Sequence, residues 1–204
     1  PYAISYGTYF CEPIYGKSVF GNDKSCNIKH LVYARTFSQK KGGASIAASV
    51  AKHLSTDYHI HIIGSGTDKE QRDLQKLVDE ISGDDCAKVT IDGCFSGDEY
   101  IKFLQSCDVG LSTQNSAETF NNSSFPSKVT SYLSNGLRVV AGRIPALERS
   151  ELTSLLYYYD GNNPEAIAEA IKSIDWSQKY DSRQVILDLD KKFVRDIEKL
   201  LSNE

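Results

Sequence analysis

Apolar residues along this chain follow two alternating rhythms. Short, nearly uninterrupted apolar runs occur at 29–34 (KHLVYA), 58–64 (YHIHIIG), 87–93 (AKVTIDG), 108–112 (DVGLS), 137–142 (LRVVAG) and 155–160 (LLYYYD). Runs of this length that stop at glycine or a polar residue predict strands buried on both faces. Between them lie stretches with apolar positions three and four apart, the spacing of amphipathic helices. These cover 42–54, 68–82 (Leu74, Leu77, Val78 and Ile81 on one face), 96–107, and a helix opened by Pro126 and closed by Gly136. Ser96 and Glu99 form an S-x-x-E pattern, which predicts a capping box at the third helix. A helix over 162–174 opens with an asparagine cap and Pro164 at its first position, and 181–201 carries a Val185, Leu189, Phe193, Ile197, Leu200 stripe.

Six strands alternating with helices require parallel pairing and right-handed crossovers. The expected fold is α/β: a doubly wound, mostly parallel six-stranded sheet with helices on both faces, its ligand site outside the carboxyl ends of the strands. Residues 28–204 form this domain. Residues 1–27 are rich in tyrosine, glycine and turn formers, with one strand-like run at 2–10, and read as a lead-in segment.

Composition narrows the functional classes. The chain has 204 residues, 40% hydrophobic and 25% charged, with a net charge of −4. A broad basic surface for nucleic acid is therefore not expected, and any anion site must be local. No apolar run approaches the ~18 residues of a membrane span. The five cysteines (Cys11, Cys26, Cys86, Cys94, Cys107) show no CxxC spacing and read as reduced thiols of a cytoplasmic protein. A chain that opens on Pro1 reads as a piece of something longer.

In a parallel sheet the strand-to-helix loops share one edge, so their residues converge. The first loop, RTFSQKKGG, holds Arg35, Lys40, Lys41 and Gly42; the second, GSGTD, holds Gly64 and Gly66; the third is GCFSG. The fourth ends in Pro126-Ser127-Lys128. A cation in a first helical turn opposes the helix dipole, so Lys128 there implies that an anion is expected nearby. Arg35, Lys40 or Lys41, Ser127 and Lys128 would together make a diphosphate cradle, beside glycines that admit a ligand to the backbone. GSG is half of a dinucleotide fingerprint, but Lys69 stands where its third glycine belongs. Asp188 and Asp190 read as surface charge on the final helix. His59 and His61 share a strand face without acidic or thiol partners at ligand spacing, and His30 and His53 are isolated in sequence, so all four read as structural.

The order R-x4-KKGG, strand-GSG, VTIDGCFSGDEYIKFLQSCDVGLST and FPSKVTSYLSNGLRVVAG resembles the C-terminal, nucleotide-sugar-binding half of a GT-B fold glycosyltransferase of the group 1 (family 4) type, over residues 28–174. The resemblance implies a retaining glycosyltransferase, of hexosyltransferase type, using a nucleotide diphosphate sugar donor and no metal, in surface polysaccharide synthesis. Arg35 and Lys41 (or Lys40) would neutralise the leaving diphosphate, helped by Ser127 and Lys128. Gly42, Gly64 and Gly66 would lie along the nucleotide, the backbone at Cys94 and Phe95 at the base, and residues 121–124 near the sugar. Two positions that are usually acidic in the family, at the ribose and at the sugar, hold Ser131 and Ser123, and Glu118 is the nearby loop carboxylate. The acceptor-binding N-terminal domain of such an enzyme is missing from this chain. That domain would carry any peripheral membrane contact at the inner face, and the fragment alone would bind donor without transferring sugar. The final helix would then expose an apolar stripe. The alternatives are half of a nucleotide-sugar epimerase, and a non-catalytic GT-B-like interaction domain, which the two serines favour.

Overall fold

The computed structural model describes residues 13–17, 19–20, 27–38, 43–81, 83–113, 125–161 and 163–202. Six parallel strands form a single sheet in the order β3-β2-β1-β4-β5-β6: β1 Lys29–Ala34, β2 Tyr58–Ile63, β3 Lys88–Gly93, β4 Val109–Ser112, β5 Arg138–Gly142 and β6 Leu156–Tyr159. Every pairing is parallel, and β2 against β3 shifts register between Ile62 and Ile63. The helices are α1 Gly43–Ser49, α2 Asp68–Ile81, α3 Gly97–Ser106, α4 Ser127–Ser134, α5 Pro145–Glu148, α6 Pro164–Lys172 and α7 Ser182–Ser202.

The strands are apolar on both sides because both sides are covered. On β1, Leu31 and Tyr33 join the core made with Ala47 of α1, Leu74 of α2 and Ile171 of α6. Val32 joins the opposite core with Leu104 of α3, Leu133 of α4 and Ile186 of α7. The chain thus leaves β1 toward one face and β4 toward the other. These neighbouring strands make the switch point, where a crevice must open at their carboxyl ends.

Local chemistry sets the helix limits. Asn163 caps α6 by accepting from the Ala166 amide at 2.7 Å, with Pro164 at the first helical position. Gly136, at φ +85°, ends α4: its amide bonds to the carbonyl of Leu133, and that of Leu137 to Tyr132. That pair of bonds is a Schellman motif. Ser96 stands at the cap position of α3 but its side chain makes no capping bond. Gly97, at φ +54°, turns the chain at the helix entry and spoils the expected box. The reciprocal box forms at α2 instead, where Thr67 N–H donates to Glu70 Oε2 (2.9 Å) and Glu70 N–H to Thr67 Oγ1 (3.3 Å). The apolar run expected as one helix over 42–54 divides into α1 and a 3-10 turn over Val50–His53. Between β5 and β6 the structure adds α5 and a 3-10 turn at Thr153–Leu155.

The described part of the lead-in runs beside α3. Tyr15 N–H donates to Gln105 Oε1, Val19 N–H donates to Ser106 Oγ, and Lys17 pairs with Asp108. Only the first part of the α7 stripe is covered: Ile186 is buried and Leu189 half-buried, while Leu187, Val194, Ile197, Leu200 and Leu201 are exposed.

Candidate functional site

Two close backbone approaches build the crevice. Gly110 of β4 lies under the Tyr132 ring, where a Cβ would fall 2.3 Å from the ring carbons, so α4 can settle against the sheet only over glycine. The Tyr132 hydroxyl accepts the Ala34 amide at 2.9 Å, pinning α4 to the end of β1. Lys128 lies four residues before Tyr132 and shares its helix face. The same anchor therefore carries Lys128 over the end of β1. Its Nζ sits 4.0 Å from the centre of the Tyr33 ring.

The start of α1 closes the other side. Thr113, just past β4, donates through Oγ1 to the Gly43 carbonyl at 2.9 Å. A Cβ at Gly43 would stand 2.5 Å from the Tyr33 hydroxyl and 2.8 Å from the Thr113 carbonyl. The ends of β1 and β4 and the first residues of α1 and α4 thus meet around Tyr33.

Electrostatically this place is unbalanced. The Lys128 ammonium is buried, and among the described residues nothing lies within hydrogen-bonding distance of it. Burial, then the charge of Arg35, pushes its pKa down to about 6. Burial raises Tyr33 to about 12, with Arg35 pulling the other way. Arg35 is therefore near enough for its charge to act on both groups. Among the described residues the Nε of Arg138 also lacks an acceptor. Its guanidinium, however, bonds to the Gln178 carbonyl and lies against the rings of Trp176 and Tyr180, which gives it a structural setting.

Ser127 is exposed at the first position of α4. Gly64 has φ +144°, and a Cβ there would come within 2.0 Å of the Arg35 carbonyl oxygen. A Cβ on Gly66 would meet Phe37 at 3.0 Å. Both glycines are thus required where the second loop packs on the first, and they fix the backbone that carries Arg35. Cys94 is exposed, and Phe95 is half-buried, stacked on Phe103 at 4.7 Å. Ser131 is half-buried, and its side chain is near enough to Tyr100 to offset part of the rise that burial gives the phenol's pKa. Lys40, Lys41, Gly42 and Ser123, with Glu118 and the rest of 121–124, lie outside the described residues. Tyr33, Gly43 and Thr113 were not singled out in the sequence. The signal available was a tyrosine ending an apolar strand immediately before the loop cations.

The isolation of the histidines in sequence does not carry over into the fold. His30, His59 and His61 are far apart in sequence but adjacent on the face shared by β1 and β2, because parallel pairing sets His30 beside His59. An acidic partner is also present: Asp92, on β3, accepts from His61 Nδ1 at 3.0 Å. Linear spacing cannot reveal a cluster assembled across three strands. Asp188 is exposed and bonds within α7 to Gln184 and Lys191, as a surface charge does. Cys86, Cys94 and Cys107 are free, and among the described residues no helix is long and apolar enough to cross a membrane.

Comparison with known proteins places this geometry. The family described as glycosyl transferases group 1 matches residues 28–174. No curated protein sequence matches the chain. Among solved structures, Alr3699/HepE of Anabaena in complex with UDP superposes with a TM-score of 0.65 at 15% identity, over 87% of this chain and 50% of that one. The catalytic domain of cholesterol-alpha-glucosyltransferase from Helicobacter pylori gives 0.51 at 18% identity, covering 82% of this chain and 98% of that one. An E. coli trehalose-6-phosphate structure bound with UDP-2-fluoro glucose gives 0.59 at 16% identity, over 87% and 44%. The chain spans about half the length of HepE, and its fold is the Rossmann-like one of these GT-B neighbours.

Proposed function

Because this chain belongs to the group 1 glycosyl transferases, we propose that its crevice grips the diphosphate of a nucleotide-sugar donor. The observation that carries this reading is the buried ammonium of Lys128, held at the switch point beside Arg35 without an acceptor among the described residues. A diphosphate entering there would supply the missing counter-charge. Arg35 and Lys128, with Lys40 or Lys41 from the same loop and the exposed Ser127, would then hold the negative charge that grows on the leaving diphosphate as the sugar bond breaks. Cationic side chains in that role leave no need for a metal at the diphosphate. The neighbours solved with UDP, UDP-glucose and UDP-2-fluoro glucose support the choice of donor class.

The sugar would go to a glycan or lipid-linked acceptor, in surface polysaccharide synthesis at the cytoplasmic side of a membrane. Acceptor binding would belong to a further domain, in keeping with a chain half as long as HepE. The exposed Val194, Ile197, Leu200 and Leu201 of α7 offer it an apolar contact. This chain alone would then bind donor and transfer nothing. A second reading, a non-catalytic donor-fold partner of an active subunit, is favoured by Ser131, whose side chain turns to Tyr100 where the family carries an acidic group.

Titration calorimetry with UDP, UDP-glucose, GDP and uridine separates the two. Donor binding requires that diphosphates bind and uridine binds far more weakly. Indifference to all four supports the non-catalytic partner.

A further inference from the structure

We propose that His30, His59 and His61 form a second site, for a divalent transition-metal ion of the zinc type, toward the amino ends of β1 and β2 on the sheet face that α3 covers. One ligand nitrogen from each imidazole lies within 4.8 Å of those of the other two. His30 Nδ1 and His61 Nε2 share a hydrogen bond at 2.9 Å. Nitrogens bound to one tetrahedral zinc at ~2.0–2.1 Å lie about 3.3 Å apart, so small ring rotations suffice to bring them to the ion.

The proton inventory points the same way. Asp92 can only accept when ionised, and it takes the Thr90 hydroxyl (2.9 Å) and His61 Nδ1 (3.0 Å). His61 is therefore the Nδ1–H tautomer, and its Nε2 accepts from His30 Nδ1–H; an entering metal ion would take both lone pairs, with the His30 proton moved to its Nε2. With its proton given to Asp92, the Thr90 oxygen accepts from His59 Nε2 at 3.0 Å, which leaves the Nδ1 lone pair of His59 free. A carboxylate that orients an imidazole through its far nitrogen is the usual second shell of a histidine metal ligand.

The surroundings are compatible with a cation. Phe20 stacks on His30 at 4.2 Å and on His61 at 4.5 Å, covering ring faces while the lone pairs lie in the ring planes. The nearby ammonium of Lys17 is paired with Asp108, which also accepts the His30 amide at 2.9 Å. An imidazole set favours zinc, copper, nickel or cobalt over magnesium. Bound there, the ion would tie β1 to β2 beneath the lead-in segment.

The test is titration of the chain with Zn²⁺ at pH 7.5, read by thermal unfolding and calorimetry, in a Cys94→Ser background that removes the one exposed thiol among the described residues. One Zn²⁺ per chain and a raised Tm are expected, with no response to Mg²⁺. Asp92→Asn should weaken binding about 10–100-fold, and His30→Gln and His59→Gln, both at half-buried positions, should weaken it further. Zinc X-ray absorption on the unsubstituted chain keeps the idea testable where a variant misfolds: scattering from three imidazoles is expected. Absent Zn²⁺ binding, unchanged affinity in both histidine variants, or a sulfur-dominated absorption spectrum would each overturn the proposal.

Discussion

Lys128 is held with its ammonium 4.0 Å above the Tyr33 ring, in a crevice that Arg35 also charges. The ring face offsets part of the cost of burying a cation, yet the ammonium has no acceptor among the described residues. A group kept at that cost without a structural partner is what a binding site requires.

Replacing Lys128 should therefore separate stability from binding. In Lys128→Met the apolar stem is kept and the orphan charge is gone. Unfolding in urea should show a gain of about 1–3 kcal/mol, greatest near pH 6 and below and shrinking as the pH rises toward 10.5. Binding of UDP should weaken severely, while the weaker binding of uridine should be unchanged. Equal losses for both ligands would remove Lys128 from the diphosphate.

The same lysine predicts a pH signature. Its pKa falls from 10.5 in the unfolded chain to about 6 in the fold. Between those values the unfolded state binds more protons, so this group's effect is to make stability rise with pH across that window. A bound diphosphate raises the pKa again, so at pH 8 UDP-glucose should bind with uptake of a proton. Calorimetry in buffers of different ionisation enthalpy reads this uptake directly. Above the free value, affinity should fall about tenfold per pH unit until the pKa of the complex is reached. A binding enthalpy independent of buffer, or an uptake that persists in Lys128→Met, would assign the proton elsewhere.

Gly64 ties the second loop to the first. At φ +144°, with the Arg35 carbonyl 2.0 Å from any added Cβ, Gly64→Ala must both strain the backbone and push that carbonyl away. The cost in denaturant unfolding should be about 3 kcal/mol or more. Gly93→Ala is the control: its φ is +89° but nothing lies within 4 Å of the added carbon, so it carries the strain without the clash and should cost clearly less. Similar losses in the two would mean that the carbonyl moves aside freely.

All six strands were legible because a sheet covered on both faces writes itself as apolar runs, as at 58–64 and 137–142. That the loops after the strands share one edge was legible too, since every pairing is parallel. The histidine cluster was not, because His30, His59, His61 and Asp92 become neighbours only through strand register. The seat of Lys128 on Tyr33 was likewise hidden, for it depends on how closely α4 approaches Gly110.

Capping illustrates the same limit at the smallest scale, and it can be measured. T-D-K-E at 67–70 and S-G-D-E at 96–99 are equally good capping boxes as strings. Only the first has its reciprocal bonds in the structure, since Gly97 at φ +54° takes the second out of helical entry geometry. Thr67→Ala should accordingly cost about 1 kcal/mol, whereas Ser96→Ala should stay within about 0.5 kcal/mol of the parent. Both changes are at exposed positions, so neither leaves a cavity to confuse the comparison. Urea unfolding of the two variants side by side decides it, and a larger loss at Ser96 than at Thr67 would show that the box at α3 forms after all.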